Sequence, residues 1–115
     1  MRFTISTNEV YNYFTVIMQN LTKIVEEVTI HFQEDSIEIK GMDKCHVCYY
    51  HIKLPKEMFS EYNFDSFTTI GISTSMFYRI LNTKEPNQIS TIEAIEDHLH
   101  VKFITLLKFM NISHH

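Results

Sequence analysis

Two hydrophobic periodicities alternate along the chain, and they constrain the fold more than any other feature. Val10, Phe14, Ile17 and Leu21 follow one another at spacings of four, three and four residues, which places them on one face of a helix. Over residues 28–39, apolar and polar side chains mostly alternate, as in strands with one buried face. The chain must therefore pack amphipathic helices against half-buried strands.

The predicted order of elements is β-α-β-β-β-β-α-β-β-β. Ser6 is the predicted N-cap of the first helix, and Ser73 or Thr74 is the predicted N-cap of the second. One of the strands is predicted over residues 45–54 and the last over residues 107–112. Both halves share one plan, β-α-β-β-β. This pseudo-repeat predicts an α+β domain in which two helices pack on one face of an antiparallel sheet.

Length and charge limit the classes of function. A chain of 115 residues is sufficient for one domain, which we assign to residues 1–113. His114 and His115 are interpreted as the remnant of an expression tag. The net charge of −4 gives no general attraction for phosphates, so contact with DNA would need a locally basic face or a topological link. No apolar run approaches the ~20 residues of a membrane span, and no membrane partner is expected.

Metal binding and catalysis are the first alternatives. Four potential metal ligands lie in one short segment: Cys45, His46, Cys48 and His51. In a strand, residues three apart point to opposite faces, and no second Cys pair is present to complete a zinc site. The same geometry separates Cys45 from His46 as a catalytic dyad. His98 and His100 share one strand face and could chelate a metal, but a solvated face beside Glu96 and Asp97 is the favoured explanation. We expect no cofactor, no metal and no enzymatic activity, and two reduced thiols of which one is half-buried.

Two segments are similar to segments of the sliding clamps of the PCNA family. Residues 39–47 read Ile-Lys-Gly-Met-Asp-Lys-Cys-His-Val and resemble the family pattern Ser-Met-Asp-x-x-His-Val. Residues 70–81 resemble the family segment Met-Gly-Val-Asn-Leu-x-x-x-x-Lys-Ile-Leu, and no gap is needed between the two segments. The resemblance implies the N-terminal domain of a sliding clamp, a DNA polymerase processivity factor that encircles duplex DNA and is not an enzyme.

The resemblance also implies a partner-binding pocket on the outer surface. Four residues match family positions at which partners dock a short PCNA-interacting motif: Met42, His46, Val47 and Tyr49. Tyr49 stands where an aliphatic residue is usual, which would narrow the pocket or change the plug it prefers. The alternative for Met42 and Val47 is that both are simply core residues.

A DNA-facing surface on the helices is the second implication. Arg79 falls on a family lysine and is the favoured DNA contact, with Lys23 and Lys84 as weaker candidates. The basic positions of the first family helix correspond approximately to three residues that are not basic here: Thr15, Val16 and Thr22. The implied DNA-facing surface is therefore only weakly basic, and ordinary surface charge is the alternative for all three cations.

The partners implied are duplex DNA, a DNA polymerase, other proteins with a PCNA-interacting motif, and a clamp loader. The location implied is the nucleus or another site of DNA replication, such as a viral replication compartment. A family subunit has two such domains, so we expect self-association into a ring, as a trimer of two-domain subunits if the native chain is longer, or six copies of one domain. Unpaired strand edges near residues 66–72 and 105–112 would favour it. The alternatives are a checkpoint-type clamp subunit, a relative that no longer forms rings, and a small α+β interaction module.

Overall fold

A computed structural model of the chain describes residues 1–106. Its elements are β1 (Arg2–Ile5), α1 (Asn8–Thr22), β2 (Glu27–Phe32), β3 (Ser36–Met42), β4 (Tyr49–Pro55), a 3-10 turn (Lys56–Met58), β5 (Glu61–Asn63), β6 (Thr68–Ser73), α2 (Thr74–Leu81), β7 (Gln88–Ile95) and β8 (His98–Thr105). The predicted order is found with one addition, the short strand β5. The strand predicted over residues 107–112 and the domain limit at residue 113 lie outside the described residues.

The eight strands form two antiparallel sheets, in the orders β5-β1-β7-β8 and β4-β3-β2-β6. The two halves of the pseudo-repeat exchange their first strands. Strand β1 pairs with β7 of the second half, where Phe3 lies opposite Ile92, and β6 pairs with β2 of the first half, where Ile70 lies opposite Ile30. Each half therefore lacks a complete sheet without the other. The predicted α+β class, with two helices and antiparallel strands, is confirmed.

The two helices pack against each other over the inner faces of the sheets. Phe14 of α1 and Phe77 of α2 meet edge to face, with ring centroids 5.8 Å apart. The buried Tyr11 hydroxyl donates a hydrogen bond of 2.6 Å to the carbonyl of Leu81, which ends α2. Burial raises the pKa of Tyr11 to about 12. This bond fixes the start of α1 against the end of α2.

The start of α1 differs by one residue from the prediction. The N-cap is Thr7, not Ser6: its hydroxyl accepts a hydrogen bond from the backbone N–H of Val10 at 3.3 Å. Thr7 keeps an extended backbone, so the first helical residue is Asn8. For α2 the predicted cap Ser73 is found, with its hydroxyl 3.3 Å from the backbone nitrogen of Met76.

Strand β5 is absent from the predicted order of elements. It pairs with β1, with Tyr62 opposite Phe3, and adds a three-residue strand to the edge of that sheet. The Tyr62 hydroxyl donates to the carbonyl of Ser36 at 2.8 Å. Burial raises the pKa of Tyr62 to about 12. Strand β5 is stabilised by these tertiary contacts. A run of three residues is too short to show the alternation from which a strand is predicted.

Strands β6 and β8 lie at sheet edges within the described residues. This agrees with the expected unpaired edges at residues 68–73 and at residue 105, while the remainder of the second predicted edge falls outside the described range. Backbone N–H and C=O groups at such edges can pair with another chain. Among residues 1–106, no helix is both long and apolar enough to cross a membrane.

Replacing Tyr11 with Phe should lower the free energy of unfolding by about 1 kcal/mol, because the Leu81 carbonyl keeps only the longer bond of 3.4 Å from the Lys84 N–H while the ring stays in place. Urea unfolding measures the change. Tyr13→Phe is the control, since Tyr13 is 59% exposed, and its free energy of unfolding should change little.

The raised pKa of Tyr11 also predicts a dependence of stability on pH. A tyrosine in the unfolded chain ionises near pH 10, at a lower pH than the folded Tyr11 with its pKa of about 12. The wild-type chain should therefore lose part of its stability as the pH rises from about 10 to 12, and Tyr11→Phe should lose less. Equal destabilisation by Tyr11→Phe and Tyr13→Phe would contradict this account.

Candidate functional site

Strands β3 and β4 are joined by residues Asp43–Cys48, which we call the 43–48 loop. Met42 and Tyr49 are the last paired residues before it. One carboxylate oxygen of Asp43 accepts hydrogen bonds from the backbone N–H groups of Val47 and Cys48, both at 2.8 Å, and the Asp43 N–H donates to the Cys48 carbonyl at 3.0 Å. These bonds, with that from the Cys48 N–H foremost, hold the pKa of Asp43 below its usual range. The carboxylate of Asp43 thus organises the loop.

The loop corrects two predictions about this segment. Strand β4 begins at Tyr49, not at residue 45, because the bonds to Asp43 draw residues 45–48 into a turn. Cys45 and Cys48 are both exposed, so the expectation of one half-buried thiol is wrong. His46 adopts a left-handed backbone with φ of 57°, which is uncommon outside glycine. Its N–H closes the turn on the carbonyl of Asp43 at 3.0 Å.

The four residues expected at a partner pocket lie on the surface, where three of them form an apolar patch. Met42 is 45% exposed, Tyr49 56% and Val47 85%, so the core interpretation of Met42 and Val47 is wrong. The ring nitrogen Nδ1 of His46 lies 2.8 Å from the sulfur of Met42. We call Met42, His46, Val47 and Tyr49 the 42–49 patch. It combines adaptable apolar surface with an imidazole.

The sheet face beside this patch is polar. The ring of His51 lies edge-on to that of Tyr49, with centroids 6.4 Å apart, and its Nε2 hydrogen-bonds to the carboxylate of Glu38. This bond with His51 holds the pKa of Glu38 below its usual range. Burial lowers the pKa of His31, which lies opposite Glu38 in the sheet. The apolar patch therefore ends at a band of paired polar side chains.

The three expected DNA-facing cations occupy different environments. Arg79 is exposed on α2, and Lys23 is exposed at the C-cap of α1. Lys84 is half-buried, and its ammonium lies 3.0 Å from the carbonyl of Glu85 and 5.0 Å from the centre of the Tyr11 ring. The structure does not bring the three into one cluster of free cations. Arg79 and Lys23 are the two that extend into solvent.

The outward faces of the helices are less polar than the resemblance implies. Val16 is 50% exposed on α1, while Met76 is 59% and Ile80 38% exposed on α2. A groove of about 300 Å³ lies between α1 and the end of α2. Its lining includes Thr15, which stands at a basic position of the family helix, and three amide side chains that the sequence did not predict at this surface: Asn8, Asn12 and Asn82. The spacing of Asn12 and Thr15, one helical turn apart and off the buried stripe, is the signal that could have found them.

Metal coordination has no geometric support in residues 1–106, where no three His, Cys, Asp or Glu side chains lie close enough together to hold an ion. His98 and His100 stand on the outward face of β8, opposite Ile95 and Glu93.

Two helices packed over two antiparallel sheets, with first strands exchanged between repeated halves, define a duplicated α+β domain. Residues 10–112 match the family described as proliferating cell nuclear antigen, N-terminal domain, and the chain belongs to this family. The resemblance seen in the sequence is thereby confirmed. Membership fits the expectation that the chain is not an enzyme.

Relatives and solved structures agree with this assignment. The chain is 32% identical over 84 residues to DNA polymerase sliding clamp 2 of Sulfolobus acidocaldarius, which covers 73% of this chain and 34% of the relative. It is 26% identical over 83 residues to the DNA polymerase sliding clamp of Methanothermobacter thermautotrophicus, covering 72% of this chain and 34% of the relative. The chain thus spans about a third of the length of these curated relatives.

The fold is similar to that in the crystal structure of a PCNA2–PCNA3 complex from Sulfolobus tokodaii, with a TM-score of 0.76 and 23% identity, covering 94% of this chain and 47% of that one. PCNA from Thermococcus kodakaraensis gives a TM-score of 0.73 at 15% identity, covering 93% of this chain and 46% of that one. Both likenesses establish the fold.

Replacing Asp43 with Ala should release the 43–48 loop. The amides of Val47 and Cys48 lose their shared acceptor, so their hydrogen exchange, measured by NMR, should accelerate about tenfold. Asp35→Ala is the control, because Asp35 lies exposed in the turn between β2 and β3. Unchanged exchange at both amides in Asp43→Ala would show that the carboxylate does not order the loop.

Proposed function

We propose that this chain is the N-terminal domain of a sliding clamp, a DNA polymerase processivity factor that helps to encircle duplex DNA and tethers replication and repair proteins. Family membership and the names of the curated relatives support the proposal. The observation that carries it is the 42–49 patch, since residues expected to bind partners are exposed where a core role would bury them. Tethering acts by raising the effective concentration of the partner at the template.

The patch offers the two kinds of contact that a short docking motif needs. Met42 and Tyr49 lie side by side at the end of the β3–β4 hairpin, and Val47 projects from the loop beyond them. An aromatic or aliphatic plug can pack on this surface, where Met adapts to the shape of its partner. With Nδ1 of His46 against the Met42 sulfur, its Nε2 can meet the backbone of a docked peptide.

The helix layer is the proposed DNA side. Arg79 and Lys23 supply loose phosphate contacts, and the amide side chains of the groove between the helices can add hydrogen bonds. Two such cations on a chain of net charge −4 give only weak attraction, which suits a protein that slides and is retained by encirclement. The proposal includes a clamp loader as partner and the nucleus or another site of DNA replication, viral compartments included, as location.

Encirclement requires more than one domain. The edges of β6 and β8 provide backbone groups for pairing with neighbouring domains, whether in a trimer of two-domain subunits or in a ring of six copies. One chain of similar fold was solved in a PCNA2–PCNA3 complex, which supports assembly.

A second candidate is a small α+β interaction module of the same fold that does not encircle DNA. The observation that favours it is the exposed apolar surface of Val16, Met76 and Ile80 on the helix layer. Salt-sensitive binding of duplex DNA through Arg79 would exclude it in favour of the first proposal.

Replacing Val47 with Asp should weaken binding of a peptide that carries a PCNA-interacting motif at least about tenfold, because a carboxylate would be buried against the apolar plug. Fluorescence anisotropy with a labelled peptide measures the affinity. Val16→Asp is the matched control, as Val16 is also exposed but lies on α1. Similar losses in both variants, or none in Val47→Asp, would contradict the patch assignment.

Replacing Arg79 with Glu should weaken binding of duplex DNA and reduce the slope of log affinity against log salt by about 1, the share of one phosphate contact. Lys102→Glu makes the same charge change on the outward face of β8 and should have little effect. If the Lys102 variant loses as much as the Arg79 variant, attraction is set by net charge and the helix layer is not the DNA side.

A further inference from the structure

The two cysteines of this chain form a pair within the proposed partner site. Cys45 and Cys48 are both free and exposed, and they flank His46 and Val47 in the 43–48 loop. A Cys-x-x-Cys pair of exposed thiols is the arrangement in which thiol–disulfide chemistry is most accessible.

One closed turn contains both cysteines. The carboxylate of Asp43 receives hydrogen bonds from the N–H groups of Val47 and Cys48, both at 2.8 Å, and the His46 N–H donates to the Asp43 carbonyl. Cys45 and Cys48 are three residues apart in this turn, and a disulfide requires their Cα atoms to lie about 4.4–6.8 Å apart. Both thiols are already exposed, so forming the disulfide does not require either side chain to move out of the core. A bridge can therefore form by local rearrangement alone.

The two thiols differ in their surroundings. Cys45 lines a groove of about 400 Å³ together with Lys23, Lys44 and Ile24. Two carboxylates, Glu26 and Asp43, also line this groove, and the Lys44 ammonium pairs with Glu26 at 2.7 Å, so the charges at the groove balance. The Cys48 thiol instead contacts the Tyr50 hydroxyl, and this contact raises the pKa of Tyr50. The groove gives a small disulfide such as oxidised glutathione access to Cys45, so Cys45 is the thiol that reacts first.

We propose that Cys45 and Cys48 are a reversible dithiol–disulfide site, and that closing the disulfide remodels the 43–48 loop and weakens partner docking at the 42–49 patch. The docking clause rests on the proposed function, whereas the chemistry and the loop change do not. The ring that the disulfide closes contains His46 and Val47, two of the four patch residues. His46 has a left-handed backbone in the reduced loop, and the position of Val47 depends on its hydrogen bond to Asp43. A change in the shape of the loop would therefore move these two residues.

The reaction is an exchange of one disulfide for another. The thiolate of Cys45 attacks a sulfur of oxidised glutathione, forms a mixed disulfide and releases one glutathione thiol. The thiolate of Cys48 then attacks the Cys45 sulfur and releases the second glutathione. The protein loses two electrons and two protons, and both are recovered in the two glutathione thiols. Dithiothreitol reverses the sequence of steps.

The test compares the chain equilibrated with oxidised glutathione and with dithiothreitol. We expect the oxidised chain to lose the mass of two hydrogen atoms as a monomer, and the NMR amide signals of His46 and Val47 to move. Affinity for the labelled motif peptide should fall at least about tenfold and return on reduction. Cys48→Ser is the control: it should stop at the glutathione adduct on Cys45, with no internal bridge.

Three results would overturn the proposal: both thiols remaining reactive after oxidation, a disulfide that links two chains, or a bridge that leaves the His46 and Val47 amides unchanged. Peptide binding separates this proposal from the clamp proposal. If the reduced chain does not bind the peptide, the docking function fails, while mass and amide signals still decide the redox chemistry. If the reduced and oxidised chains bind equally, the docking function stands and the switch is refuted.

Discussion

Strands β1 and β6 each complete the sheet of the opposite half, and this exchange ties the two repeats into one cooperative unit. Phe3 and Ile5 of β1 are 2% and 1% exposed, so a strand from the first repeat contributes buried surface to the sheet of the second. The two helices that pack over the sheets are held against each other through Phe14 and Phe77. Both proposed working surfaces, the helix layer and the 43–48 loop, take their positions from this frame.

The 42–49 patch depends on close packing behind it. At Gly41 a Cβ atom would come within 3.0 Å of a methyl carbon of Val28 and 3.4 Å of one of Val25. The glycine is therefore required by the close approach of these side chains and not by its backbone, because its φ is not positive. The hairpin that ends at Met42 and Tyr49 thus rests directly on the corner between α1 and β2. If the side chains of the 42–49 patch packed inward against this corner, no exposed patch would remain. The hydrogen bonds to Asp43 hold the loop in a shape that leaves them exposed.

Periodicity carried most of the fold, because buried faces repeat at the spacing of the element that bears them. Phe14 and Leu21 of the predicted helical stripe are buried and Val10 and Ile17 are partly buried, while Tyr11 and Met18 complete the buried face. Burial alternates through β2 as predicted, whereas in β3 the polar Glu38 is buried as well. What depended on tertiary contacts could not be read in this way. Strand β5 is made by pairing with β1, the start of β4 is set by Asp43, and Lys84 is drawn toward Tyr11 and Glu85. For the candidate site, resemblance supplied the residues, while their exposure came only from the structure.

The central claim is that this domain docks partners through the β3–β4 hairpin. Titrating the isotopically labelled, reduced chain with a PCNA-interacting peptide and following its backbone amides by NMR tests that claim most directly. The account predicts that the shifted amides concentrate at residues 42–49 and in the neighbouring strand β4. Shifts centred on the exposed helix residues Val16 and Met76, or none at saturating peptide, would contradict it.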